Sequence, residues 1–222
     1  MMLRLPFLHI YSQRRLAIVT STSPPLAGVC PLSTTPLPGL PDHIRQDVRL
    51  LFVGINPGLR SATVGHHYAG HSNRFWKLLY ESNMVSVPLT YQDDWRLPEW
   101  GYGLTNIVDR PTSGIHELTS FDYTKGRNLL LKKVYHFQPK MLALLGVTMK
   151  KALFPTTLKG ESRKTKRKPL PRVGLQNEEF GGAQVFVLPN PSGRNAHYSY
   201  HDMLELFLEL RDLNQNRQSL YI

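Results

Sequence analysis

Asn56 stands in the stretch Leu50-Leu51-Phe52-Val53-Gly54-Ile55-Asn56-Pro57-Gly58, where an apolar run passes straight into a polar turn. A continuous apolar run of that length, closed by turn residues, predicts a buried strand of a parallel sheet. In open α/β sheets ligands bind just beyond the carboxyl ends of such strands. Asn56 would then be an amide delivered by a rigid strand to the mouth of a cleft. A purely structural Asn-Pro-Gly turn explains the same residues. Asn106 and Thr112 close a second candidate strand, residues 101–112, and a third polar turn at 189–195 carries Asn190, Ser192, Gly193, Arg194 and Asn195. Three polar strand ends of this kind can converge on one cleft.

His66, His67 and His71 crowd the loop expected over residues 59–72 and invite a metal reading. Adjacent histidines point in different directions, however, and no carboxylate or cysteine lies nearby in the sequence to complete a shell. No metal and no cofactor are expected.

The positioning elements follow from periodicity. Residues 140–146 and 184–188 repeat the pattern of a short buried strand. Asn73 can cap a helix whose buried face is Trp76, Leu79, Tyr80, Asn83 and Met84. Residues 85–100 look irregular, with Asp93 and Asp94 as turn formers. Leu130, Val134 and Phe137 define a helix over 126–137, which Pro139 stops. Residues 147–154 form a short helix, and Met203, Leu206, Phe207, Leu210 and Leu213 give the buried face of a last one over 199–213. Strands alternating with helices predict a parallel α/β sheet covered on both faces.

Composition narrows the partners. The chain has 222 residues, enough for one full core plus tails. Lys and Arg number 27 against 16 Asp and Glu, a formal charge of +11, which favours a polyanion such as nucleic acid. Seven of those cations fall in residues 159–172, a basic segment that can bind phosphates. Cys30 is the only cysteine, so a disulfide framework and a cysteine-based zinc site are both excluded. No apolar run approaches the ~20 residues of a membrane span. Residues 1–41 contain no acid and are rich in Ser, Thr, Leu and Pro; a targeting presequence and a disordered tail fit equally. The expected organisation is a tail over 1–43, a domain over 44–213 with a basic loop at 159–180, and a short tail at 214–222.

Taken together, Gly54-Ile-Asn-Pro-Gly58, Gly65-His-His-Tyr68 with Asn73-Arg-Phe-Trp76, Gly103-Leu-Thr-Asn-Ile-Val-Asp-Arg110 and Asn190-Pro-Ser-Gly193 resemble the mismatch-specific uracil and thymine DNA glycosylase family. The resemblance covers about residues 48–212. It implies a three-layer α/β/α sandwich with a short, mainly parallel central sheet. It also implies a monofunctional hydrolase, without lyase activity, that acts on uracil or thymine mispaired with guanine in double-stranded DNA. Asn56 looks like the water-positioning catalytic residue. Gly54, Ile55, Ser61, Tyr68 and Asn106 look like the base pocket, with Tyr68 stacking on the extruded base and Asn106 reading its edge. Thr112, Asn190, Ser192, Gly193 and Arg194 look like DNA contacts, with Arg194 as the wedge that fills the vacated stack. A nuclear monomer that hands abasic sites to downstream repair enzymes is the matching expectation, with the mitochondrion as the alternative compartment. The rival expectations are an inactive mismatch-binding protein of the same fold and a nucleotide-binding enzyme. Gly54–Gly58 lacks the Gly-Lys-Ser/Thr ending of a phosphate loop, which weighs against the latter.

Overall fold

Leu50, Leu51, Phe52 and Val53 are fully buried because the strand they form, β1 (Leu50–Gly54), lies inside a five-stranded sheet with helices on both faces. This is seen in a computed structural model that describes residues 36–155 and 173–216. The sheet order is β2-β1-β3-β5-β4, with β2 (Tyr102–Asn106), β3 (Met141–Leu145), β4 (Gly174–Phe180) and β5 (Ala183–Leu188). All pairings are parallel except β4 with β5.

Alternation along β1 sends Leu50 and Phe52 into one core and Leu51 and Val53 into another. The first core takes in Phe75, Leu78 and Leu79 of α2 (Phe75–Glu81) and Met203, Phe207 and Leu210 of α5 (Tyr200–Asn216). The second takes in Leu130 and Val134 of α3 (Ser120–Phe137) and Met149 and Leu153 of α4 (Met149–Leu153). The three-layer α/β/α arrangement expected from the sequence is the one observed.

Several local expectations change. The loop at 59–72 begins with a helix, α1 (Leu59–Val64), ended by Gly65 in a left-handed conformation. In α2 the buried residues include Phe75 and Leu78, whereas Tyr80 is exposed. Residues 91–100 form a 3-10 helix, Tyr91–Trp100, opened by a Thr90–Asp93 capping box, and Asp94 within it is buried rather than a surface turn former. A capping box of Thr119 and Asp122 starts α3 six residues earlier than its apolar face suggested. Residues 174–180, expected as loop, are the edge strand β4; Gly181 and Gly182, both at positive φ, turn it back into β5. The ordered structure also reaches upstream of Ile44. His43 and Leu104 exchange backbone hydrogen bonds, and Asp42 pairs with Lys133 at 2.6 Å. The expectations for residues 1–35, for the basic segment 159–172 and for residues 217–222 lie outside the described residues.

One glycine sets how closely α3 approaches the sheet. A Cβ on Gly126 would overlap the carbonyl oxygen of Ile107, just past β2. Alanine is about 1 kcal/mol the better helix former, yet that backbone oxygen has nowhere to go, and overpacking costs about 1–3 kcal/mol. Gly126→Ala should therefore lower stability by about 2 kcal/mol, read as a reduced midpoint in denaturant unfolding.

Candidate active site

Because the chain leaves β1 for β2 on one side and later returns to β3 on the other, β1 lies at the switch point of the sheet. Just beyond its carboxyl end opens a cavity of about 650 Å³. Asn56, Tyr68, Asn106, Asn190 and Arg194 all line it. The three polar strand ends do converge.

Asn56 is held in one orientation by chemistry. Its Nδ2 lies 2.7 Å from Thr112 Oγ1, 3.0 Å from the Arg110 carbonyl and 3.2 Å from the Pro57 carbonyl. Thr112 in turn donates its hydroxyl proton to the Gly114 carbonyl at 3.0 Å. All three neighbours of the amide nitrogen are therefore acceptors, which fixes nitrogen toward the protein and leaves Oδ1 without a partner among the described residues. The amide offers the cleft an acceptor and no basic group.

Thr112 was expected to touch a phosphate or sugar. It is 2% exposed, and its hydroxyl is committed on both sides to Asn56 and Gly114. In this arrangement its part is to hold Asn56.

Asn106 presents the opposite condition. It is 8% exposed, and its side chain makes no hydrogen bond with any described residue. A Cβ on Gly54 would run into Asn106 Oδ1 and would lie 2.9 Å from the Tyr68 hydroxyl. That hydroxyl is buried and also lacks a partner, and burial pushes the phenol far above its usual range, so it stays protonated. A buried polar group without a partner is costly unless a ligand satisfies it. Tyr68 stacks its ring against Phe75 at 4.2 Å between centroids and adopts a left-handed backbone, φ +54°.

The segment around Tyr68 is pinned along its length. Ala69 N donates to Ser61 Oγ at 3.0 Å, and Arg60 Nε donates to the Ala69 carbonyl at 2.7 Å. Ser61 thus lies in the pocket wall, 7% exposed, with its hydroxyl oxygen engaged by the Tyr68 segment. Ile55 is 6% exposed beside it, and its carbonyl accepts from Val108 N.

Across the cleft the 190–195 turn caps itself. Asn190 Oδ1 accepts from Ser192 N at 2.9 Å, and Ser192 Oγ accepts from Arg194 N at 3.3 Å. Gly193 is packed so tightly against Ser72 that a Cβ there would collide with it. Arg74 braces the turn by donating to the Asn195 carbonyl at 2.9 Å. Arg194 is exposed at the mouth and reaches over to the Ser113 carbonyl at 2.7 Å.

The sequence placed no carboxylate near the histidines, and here the structure differs. Asp94 Oδ1 approaches His66 Nδ1 to 3.0 Å. Even so, no three such groups form a metal-binding set among the described residues. The sequence alone assigns no site role to Asp94, His43, Ser72 or Arg74; all four act from outside the strand ends.

Fold and cavity together define a mainly parallel α/β protein whose strand-end site combines amides and an aromatic ring with hydroxyl, histidine and arginine side chains. Neither lysine nor carboxylate lines that cavity among the described residues. The chain belongs to the uracil DNA glycosylase superfamily, which it matches over residues 41–211. A G/U mismatch-specific uracil DNA glycosylase of Schizosaccharomyces pombe is 35% identical over 191 residues, covering 82% of this chain and 56% of that protein. The chain thus spans little more than half the length of that relative. The solution NMR structure of a uracil DNA glycosylase candidate from Methanosarcina acetivorans aligns with a TM-score of 0.52 at 16% identity. It covers 81% of this chain and 99% of that one, and at that identity the likeness is one of fold.

Proposed function

We propose that this chain is a monofunctional DNA glycosylase that excises uracil mispaired with guanine by hydrolysing the N-glycosidic bond. The observation that carries the reading is the amide of Asn56, locked by three acceptors so that only its oxygen faces the cleft. That oxygen accepts a hydrogen bond from water and directs the water's lone pair at C1′ of a sugar. The C1′–N1 bond breaks, its electron pair leaves with the base, and the water's proton passes to solvent or to the departing base. An amide cannot take that proton as a strong base, so the rate rests on positioning and on stabilising the leaving base.

Asn106 supplies that second element. Its unpaired amide can accept from N3–H of uracil and donate to a carbonyl of the same edge. Tyr68, backed by Phe75, offers a ring face for the base to stack on. The base must first leave the duplex, at a cost of a few kcal/mol that a mispair reduces. The charge of +11 favours the DNA backbone as partner, and exposed Arg194 suits a wedge, since a guanidinium stacks and hydrogen-bonds at once. No lysine lines the cavity among the described residues, which supports hydrolysis without a Schiff base or strand cleavage. An abasic product would pass to downstream repair enzymes, and a DNA substrate fits a nuclear or, as the alternative, a mitochondrial protein.

Duplexes carrying G·U, G·T and A·U, and single-stranded uracil, treated with the protein and then alkali, test the reading on a gel. Breaks at G·U in excess of A·U are the expected result, and breaks at G·T would extend the substrate to thymine. Absence of breaks in every substrate would overturn the assignment.

A further inference from the structure

Asp94 is a carboxylate with 1% exposure, on a 3-10 helix that contributes nothing to the cavity wall. No lysine or arginine pairs with it among the described residues. Its two hydrogen bonds run toward the segment that carries Tyr68. Oδ2 accepts from the backbone N of His67 at 2.8 Å, and Oδ1 lies 3.0 Å from His66 Nδ1. His43, from the strap ahead of β1, brings Nε2 to 3.4 Å from Oδ2; that nitrogen is buried and makes no hydrogen bond. His67 is itself turned away, its Nε2 donating to the Pro41 carbonyl at 2.9 Å. Burial lowers the pKa of its ring below the usual histidine value, against the Pro41 bond, which pulls the other way.

A buried charge is stable only when it is paired and hydrogen-bonded. Among the described residues, the candidates for counter-charge are two imidazoles. The product of the pairing is mechanical: it fixes the His66–His67 peptide, one residue ahead of Tyr68, whose left-handed backbone costs about 1–2 kcal/mol and must be over-determined by its surroundings. We propose that Asp94 is a positioning residue for the base pocket: its carboxylate, gripped by His66 and His43, holds the His67 backbone and so fixes Tyr68 as the platform beneath the extruded base. The proposal rests on the glycosylase reading above.

The charges facing this cluster are few. On the 3-10 helix itself Asp93 is its neighbour, and Tyr91 sets its ring 5.9 Å from that of His66. Arg60 of α1 lies over Tyr91 at 5.9 Å. From the strap come His43 and Asp42, and Asp42 is occupied by Lys133 of α3 at 2.6 Å. Burial would raise the Asp94 pKa, but the bonds from His66 and His67 N and the nearby His43 outweigh it and hold the carboxyl at about 2, so it remains an anion wherever histidine titrates.

Asp94→Asn keeps the shape and one acceptor for His67 N but removes the charge. An imidazolium would then face a neutral amide in a buried site. The test is single-turnover excision from a G·U duplex between pH 5.5 and 8.5, with unfolding midpoints taken at each pH. The variant should lose about threefold at pH 8.5 and about thirtyfold at pH 5.5, where unpaired histidine is protonated. The double variant Asp94→Asn/His66→Gln should regain part of the loss at pH 5.5, because the cation that lost its partner is gone. A deficit independent of pH, or a double variant whose losses add, overturns the proposal. If Asp94→Asn does not fold, His66→Gln reads the same link: its deficit must widen toward low pH, and a constant ratio overturns it. Failure of the wild-type protein to excise uracil at any pH would instead sink the glycosylase reading itself.

Discussion

Asn56→Ala should lower single-turnover uracil excision by about 10³-fold, or about 4 kcal/mol of barrier, and leave binding to a G·U duplex intact. The separation of chemistry from binding follows from geometry. Asn56 Nδ2 makes only internal bonds, and its oxygen contributes where water would sit, so the duplex loses no contact. The same bonds rank Thr112 as the companion position. Thr112→Val removes the strongest restraint on the amide, the 2.7 Å bond, and frees the Gly114 carbonyl. A tenfold to hundredfold loss, on the order of the 10²-fold cost of misplacing a reacting group, is the expected result. Gel-shift affinity and excision rate measured on one set of duplexes check both variants. An Asn56→Ala protein that cleaves at the wild-type rate would remove the water-positioning role.

The strand ends were legible in the sequence because their cause is local. Apolar runs of five residues can only be buried strands here, and each terminates in Gly, Asn or Pro, so Asn56, Asn106 and the 190–195 turn could be placed at one edge from spacing alone. What the sequence did not carry was anything set by long-range pairing. Asp94 reads as a surface turn former because its partners, His43 and His66, lie 51 and 28 residues upstream. Thr112 reads as a DNA contact because only the bridge between Gly58 and Thr112 brings its hydroxyl under Asn56. β4 reads as loop because an edge strand needs no apolar run; Gln176, Asn177, Glu178 and Glu179 sit on it without penalty once β5 supplies the hydrogen bonds.

Gly54→Ala should abolish uracil excision, by at least about a hundredfold, at a much smaller cost to the fold than Gly126→Ala. Both glycines face an obstacle, but the obstacles differ in kind. At Gly126 the added methyl meets a backbone carbonyl that the sheet holds in place. At Gly54 it meets the ends of two side chains, Asn106 Oδ1 and the Tyr68 hydroxyl, and both can swing away. Both side chains line the cavity, so the open space beside them is the space it provides. The chain would fold, and the amide that reads the base would occupy the space where the base belongs. Unfolding midpoints and excision rates measured together separate the two cases: Gly126→Ala loses stability first, Gly54→Ala loses activity first. A Gly54→Ala protein with wild-type excision would mean that the base does not lie against Asn106 and Tyr68. The pocket would then have to be sought elsewhere along the same strand ends.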